Sequence, residues 1–172
     1  MSFSPVFNRR RFAVGTLAAL VAVGSGFVAA PRTADAHEAD CPLCQLKVVQ
    51  DTPTQDNEVA LRFGRKRIEY RCVWCALTEA QTDFPKGNLT ILAPSEIKGK
   101  PVLISRTDGS WSTGPTSAVF LGVNAGHKSC PITYRAFSGQ AAFDAYVKKT
   151  GGAVKGAKPL TLTQLLATTK SA

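Results

Sequence analysis

The sequence predicts an α+β fold: two small β-β-α-β units packed as one compact domain, behind a cleaved N-terminal signal. Three observations carry this. The pattern Ile-x-Tyr-Arg occurs twice, at 68–71 and 132–135, and each copy runs directly into a helix-like stretch. Alternating or β-branched sequence lies upstream of each copy, "EVALRFG" before the first and "AVFLGVN" before the second, as half-buried strands require. A further strand-like run, "NLTILAP", follows the first helix and is ended by Pro94.

The signal is read first, because it leaves the mature fold. "NRRRFAV" sets Arg9 and Arg10 ahead of the glycine-interrupted apolar run "FAVGTLAALVAVGSGFVAA", and Ala34-Asp35-Ala36 places small residues where a signal peptidase cuts. This is the pattern of a twin-arginine export signal over residues 1–36, giving a periplasmic or otherwise exported protein. That route carries folded proteins, so a metal can be loaded before export. Cleavage after Ala36 removes four Arg and one Asp, takes the net charge from +9 to +6, and leaves 136 residues, enough for one domain. The basic residues are scattered, with no run of five, so they read as a solvated face rather than a nucleic-acid surface. The composition is not that of a disordered chain.

The elements of the mature chain, with units at about 41–94 and 101–172, follow in order. In the first helix, "RCVWCALTEA", Cys72, Cys75, Leu77 and Ala80 recur at helical spacing. "PVLISRTDGSWSTG" reads as a strand, a turn at Asp108-Gly109 and a loop around Trp111, a packing residue. In the second helix Ser138 is the expected N-cap, Ala142, Phe143, Tyr146 and Val147 form one face, and Gly151-Gly152 is the stop. "PLTLTQLLATTK" reads as a terminal helix starting near Thr161 or Thr163. Each unit alone is too small to bury much core, so the two pack together or a metal or disulfide supplies the rest.

The chemistry lies in five cysteines. Cys41 and Cys44 form "CPLC", Cys72 and Cys75 open the first helix, and Cys130 stands alone. At i and i+3, Cys72 and Cys75 share a helix face, and a first-turn position favours the thiolate. Four readings compete. Disulfides suit an oxidising compartment, but five cysteines leave one unpaired. A four-cysteine zinc site has the right pairs, with a long spacing of 27 residues between Cys44 and Cys72. A thiol-disulfide oxidoreductase would use one Cys-x-x-Cys pair, though Pro42-Leu43 sits in a loop rather than at a strand–helix junction. Soft-metal binding needs only a subset of the five, because Cu(I) is satisfied by two or three thiolates. His127, three residues before Cys130, is close enough to join a site, and His37 would be the first mature residue. The candidate metal ligands are Cys41, Cys44, Cys72, Cys75 and Cys130, with His127 as an addition, and at this point Cu(I) and Zn(II) are both open. Convergence of the two pairs is expected because both lie at one end of the first unit, with Cys130 brought near by packing of the second. No Ser-His-Asp set, paired acid/base carboxylates or phosphate loop is visible, and two histidines are too few for a histidine-rich catalytic metal site.

In layout the chain resembles the NosL family, copper-binding accessory proteins of nitrous oxide reductase. The likeness rests on "CPLCQLKVV" near the mature start, the helix "RCVWCALTEA", and the tail "CPITYRAFSGQAAFDAYVKKTGG" leading into "LTLTQLL". It implies paired β-β-α-β units, a Cu(I) site of cysteine and methionine, and non-enzymatic delivery of copper to an exported copper enzyme or its maturation machinery, with peripheral contact to membrane assembly proteins. The chain departs from the family pattern. Gln45-Leu46 replaces the family's usual Gly-Met after the first motif, Cys130 stands where a methionine is common, and no lipobox precedes Cys41. The only methionine is Met1. Cysteine thus takes the place of methionine in any soft-metal site.

Overall fold

The described backbone opens with a small hairpin. The structure, a computed structural model, describes residues 38–49 and 58–169; the expected signal and His37 lie outside them. β1 (Glu38–Asp40) pairs antiparallel with β2 (Lys47–Val49), and the "CPLC" segment is the turn between them. All described residues fall in one unit of the chain, Asp35–Ala172.

The first β-β-α-β unit forms as the sequence expects. β3 (Val59–Phe63) and β4 (Lys66–Tyr70) make a hairpin, α1 (Val73–Thr82) follows, and β5 (Leu89–Ala93) returns beside β3. Leu89, Ile91 and Ala93 alternate with less buried residues, so one face of β5 meets the core. β6 (Val102–Thr107) and β7 (Ser110–Gly114) then extend this sheet, giving the antiparallel order β4-β3-β5-β6-β7. This differs from the expected boundary near residue 101. The free edge of β5 takes β6 in direct register, Ala93 opposite Val102 and Leu89 opposite Arg106, so the hairpin belongs to the first sheet. Asp108 and Gly109 both have positive φ, +50° and +81°, the backbone that an Asp-Gly hairpin turn demands. Trp111, expected in a loop, lies within β7 and packs on the core.

The second unit is β8 (Val119–His127), β9 (Cys130–Phe137) and α2 (Gln140–Thr150). Its fourth strand shrinks to a single bridge, in which Leu160 and Phe120 exchange backbone hydrogen bonds of 2.9 and 2.8 Å. Ser138 does not cap α2. The N-cap is Gly139, and Ser138 instead donates its backbone N–H (3.0 Å) and its hydroxyl to the Glu96 carboxylate. α2 ends at Gly151, φ +56°, as the glycine pair predicts. After a 3-10 turn at Gly152–Val154, α3 (Leu162–Thr169) starts in a capping box: the Thr161 hydroxyl accepts from the Gln164 N–H, and the Gln164 side chain accepts from the Thr161 N–H.

The layers meet at α1. One side lies on β3, β4 and β5, the other on β9 and α3, so Val73, Cys75, Ala76, Leu77, Thr78 and Ala80 are all buried. The polar residues Glu79, Gln81 and Thr82 are not among them. The main core runs from Val59, Leu61 and Ile104 in the sheet through α1 to Phe120 and Ala136, and it contains all five cysteines. A smaller cluster of Leu121, Phe137, Phe143 and Val154 holds α2 to its hairpin.

Candidate metal centre

Three segments carry the cysteines to one place. In the β1–β2 turn the Cys41 N–H donates to the Leu46 carbonyl (2.9 Å), and the Gln45 N–H donates to the Cys41 carbonyl (2.8 Å). This curls the turn so that Cys41 and Cys44 are buried while Pro42 and Leu43 face solvent. Cys72 is the N-cap of α1, without a side-chain capping hydrogen bond, and Cys75 lies in its first turn. Cys130 opens β9, the strand packed against α1. The Arg71 guanidinium donates to the Lys47 carbonyl (3.0 Å) and ties the cysteine hairpin to the corner between β4 and α1. This clamp has no local signature in the sequence, because its partner lies 24 residues away.

The sulfur atoms form two overlapping groups. Those of Cys41, Cys44 and Cys75 lie within 4.8 Å of one another, and so do those of Cys72, Cys75 and Cys130. Cys75 belongs to both, and its sulfur is 3.6 Å from that of Cys72. All five are free thiols, and the most exposed, Cys44, has 4% of its surface accessible. Among the described residues these are the two groups of three or more metal-ligating side chains. His127 stands apart from both. It is exposed at the end of β8, where its Nδ1 accepts the Ser129 N–H at 3.3 Å. In the hairpin register its backbone lies opposite Cys130, beyond an irregularity that begins at Asn124, yet its ring is in neither set of mutually close ligand atoms.

The thiols divide into acceptors and donors. The Cys75 thiol holds Cys41 down, to about 5, against the opposing effect of burial; the backbone N–H groups of Arg71, Cys44 and Leu43 assist. Cys72 is held well below the usual thiol range by hydrogen bonding first from Cys130 and then from Cys75. The donors shift the other way. Cys75 is raised by its bonds to Cys41 and Cys72, Cys130 by its bond to Cys72, and Cys44 by burial. Hydrogen bonds to a charged form favour that form. The arrangement therefore favours the thiolate at Cys41 and Cys72 over the others, and a soft cation would displace the remaining protons. Tyr70 borders Cys41 and is fully buried, with its phenol pushed up by burial and by Glu79.

A cleft of about 260 Å³ is lined by Trp74, Pro131, Ile132, Tyr134 and Thr168. Trp74 and Pro131 are the sequence neighbours of Cys75 and Cys130.

Fold and site together define a small α+β protein whose core encloses a five-thiol cluster, a donor set suited to soft metals. No family model matches the chain, and no curated protein matches it. Among solved structures, the mercury-bound form of MerB2 is similar, with a TM-score of 0.53 and 17% sequence identity over 66% of this chain and 56% of that one. The chain therefore spans little more than half the length of that relative, and at this identity the likeness is one of fold.

Proposed function

We propose that this chain is an exported, non-enzymatic Cu(I)-binding protein that passes its metal to an exported copper enzyme or to the machinery that matures it. The observation that carries the reading is the pair of buried sulfur groups meeting at Cys75. Three sulfurs about 2.3 Å from one ion lie about 4 Å apart, which fits within the 4.8 Å limit of each group. Cu(I) is content with three thiolates, and burial shields them from water and oxidants. The NosL-like layout of the cysteine segments favours copper within the soft class. The mercury bound by MerB2 is another soft ion, and its occurrence on this fold supports the class rather than the individual metal.

The rival chemistries fit less well. Structural zinc takes four ligands, whereas the mutual sulfur groups here have three members each. A thiol oxidoreductase needs an exposed nucleophile, and Cys41, Cys72 and Cys75 are each 0% exposed. Metal analysis of the exported chain, purified without oxygen, tests the reading: copper uptake that withstands a competing chelator is expected. One equivalent of zinc with no copper uptake would establish the structural alternative, and disulfide reduction by the metal-free protein the redox one. Export has its own test. Replacing Arg9 and Arg10 by Lys is expected to stop export, and the N-terminus of the exported chain is expected to read His-Glu-Ala-Asp.

A further inference from the structure

We propose that the cluster binds two soft monovalent ions at once, with the Cys75 thiolate bridging them; this rests on the soft-metal reading above. One ion would sit among Cys41, Cys44 and Cys75, the other among Cys72, Cys75 and Cys130.

The argument begins with how the sulfurs are grouped. Each group of three fits a single three-coordinate ion, yet the mutual contacts stop at three and share only Cys75. A single ion in either group would leave two other cysteines in the core with no metal: Cys72 and Cys130, or Cys41 and Cys44. Those residues are between 0% and 4% exposed. A thiol is a weak hydrogen-bonding group, so a purely structural role does not call for five of them in contact.

Position explains why Cys75 is the shared ligand. It lies in the first turn of α1, the helix packed between the sheet and β9. The hairpin turn brings Cys41 and Cys44 to its sulfur, and the N-cap of the same helix and the start of β9 bring Cys72 and Cys130 to it. A thiolate sulfur has lone pairs enough to serve two ions. Sharing it also lowers the buried negative charge: two separate three-thiolate sites would need six thiolates, and bridging needs five. Because burying net charge is costly, the shared arrangement is the cheaper one for two ions. The three segments carrying the ligands are also held independently of any ion, by the Arg71–Lys47 hydrogen bond and by the packing of β9 on α1.

The test is an anaerobic titration of the full exported chain with Cu(I) against a chromophoric Cu(I) chelator, combined with X-ray absorption of the loaded protein. Two equivalents bound and a copper–copper scattering path are expected. Cys44→Ser and Cys130→Ser each remove an outer ligand from one group, so each is expected to halve the stoichiometry and abolish the copper–copper path. Cys75→Ser is expected to weaken both equivalents, with circular dichroism confirming that the variant is folded. Because the two outer variants leave the helix unchanged, they decide the matter even if Cys75→Ser does not fold. Saturation at one equivalent, or two equivalents with no copper–copper path, would overturn the bridged pair while leaving the soft-metal reading intact. Failure to take up any Cu(I) would overturn both.

Discussion

Gln45 occupies the left-handed region, φ +59°, where a side chain costs about 1 kcal/mol relative to glycine. The side chain gives something back, since its Nε2 donates to the Pro42 carbonyl at 2.7 Å. The bond is exposed and therefore weak. Gln45→Gly is expected to raise stability by about 1 kcal/mol and Gln45→Ala to lower it, as read from denaturant midpoints. Equal stabilities for all three would show that the turn is unstrained. A second residue acts in the core. Arg106, 4% exposed, donates to the carbonyls of Ala80 and Gly87 (both 3.0 Å), Lys86 (3.2 Å) and Phe84, and its guanidinium sits 5.4 Å from the centre of the Trp111 ring. It satisfies carbonyls at and beyond the end of α1, where the helix leaves them without partners. Arg106→Leu is expected to cost about 3 kcal/mol in urea unfolding; a loss under about 1 kcal/mol would show that water replaces it.

Between elements, the contact of Glu96 with Ser138 joins the loop after β5 to the start of α2. Burial alone would raise the Glu96 carboxyl, but hydrogen bonds from the Ser138 hydroxyl and N–H outweigh it and hold the group below its ordinary value. The sign follows. A carboxyl depressed in the folded state adds stability above its unfolded value, and this is lost as pH falls through the folded one. Glu96→Gln is thus expected to be less stable than the parent at neutral pH, by under about 1 kcal/mol because the site is exposed. The difference should vanish in acid. A gap that persists unchanged at low pH would mean that the carboxylate's charge is not the cause. The same contact explains why Ser138 is absent from the N-cap, a position its sequence context suggests.

Across the molecule, the five sulfurs come from the β1–β2 turn, the start of α1 and the start of β9. A bound soft ion would therefore link segments nearly ninety residues apart in the chain, from Cys41 to Cys130. A ligand that binds only the folded state adds about 2.7 kcal/mol when free at a hundred times its Kd. Loading with Cu(I) is expected to raise the unfolding temperature in proportion, and a chelator to return it to the metal-free value. No change on loading would place copper at sites formed equally well in the unfolded chain.

Much of this was readable from local pattern. Val59–Phe63, Leu89–Ala93 and Val102–Thr107 announce themselves through apolar alternation or β-branching, the Asp108-Gly109 turn through its dipeptide, and α1 through the spacing of Cys72, Cys75, Leu77 and Ala80. Such signals are local because they follow from backbone periodicity and from which residues tolerate positive φ. They say which face is buried but not what covers it. For that reason the sequence could not assign the β6–β7 hairpin to the first sheet, reduce the last strand of the second unit to the Leu160 bridge, or find the grip of Arg71 on Lys47. It also could not divide the five cysteines into two groups meeting at Cys75, nor leave His127 outside them. That division depends on α1 being enclosed between the sheet and β9, a packing arrangement set by the whole core and by no one segment.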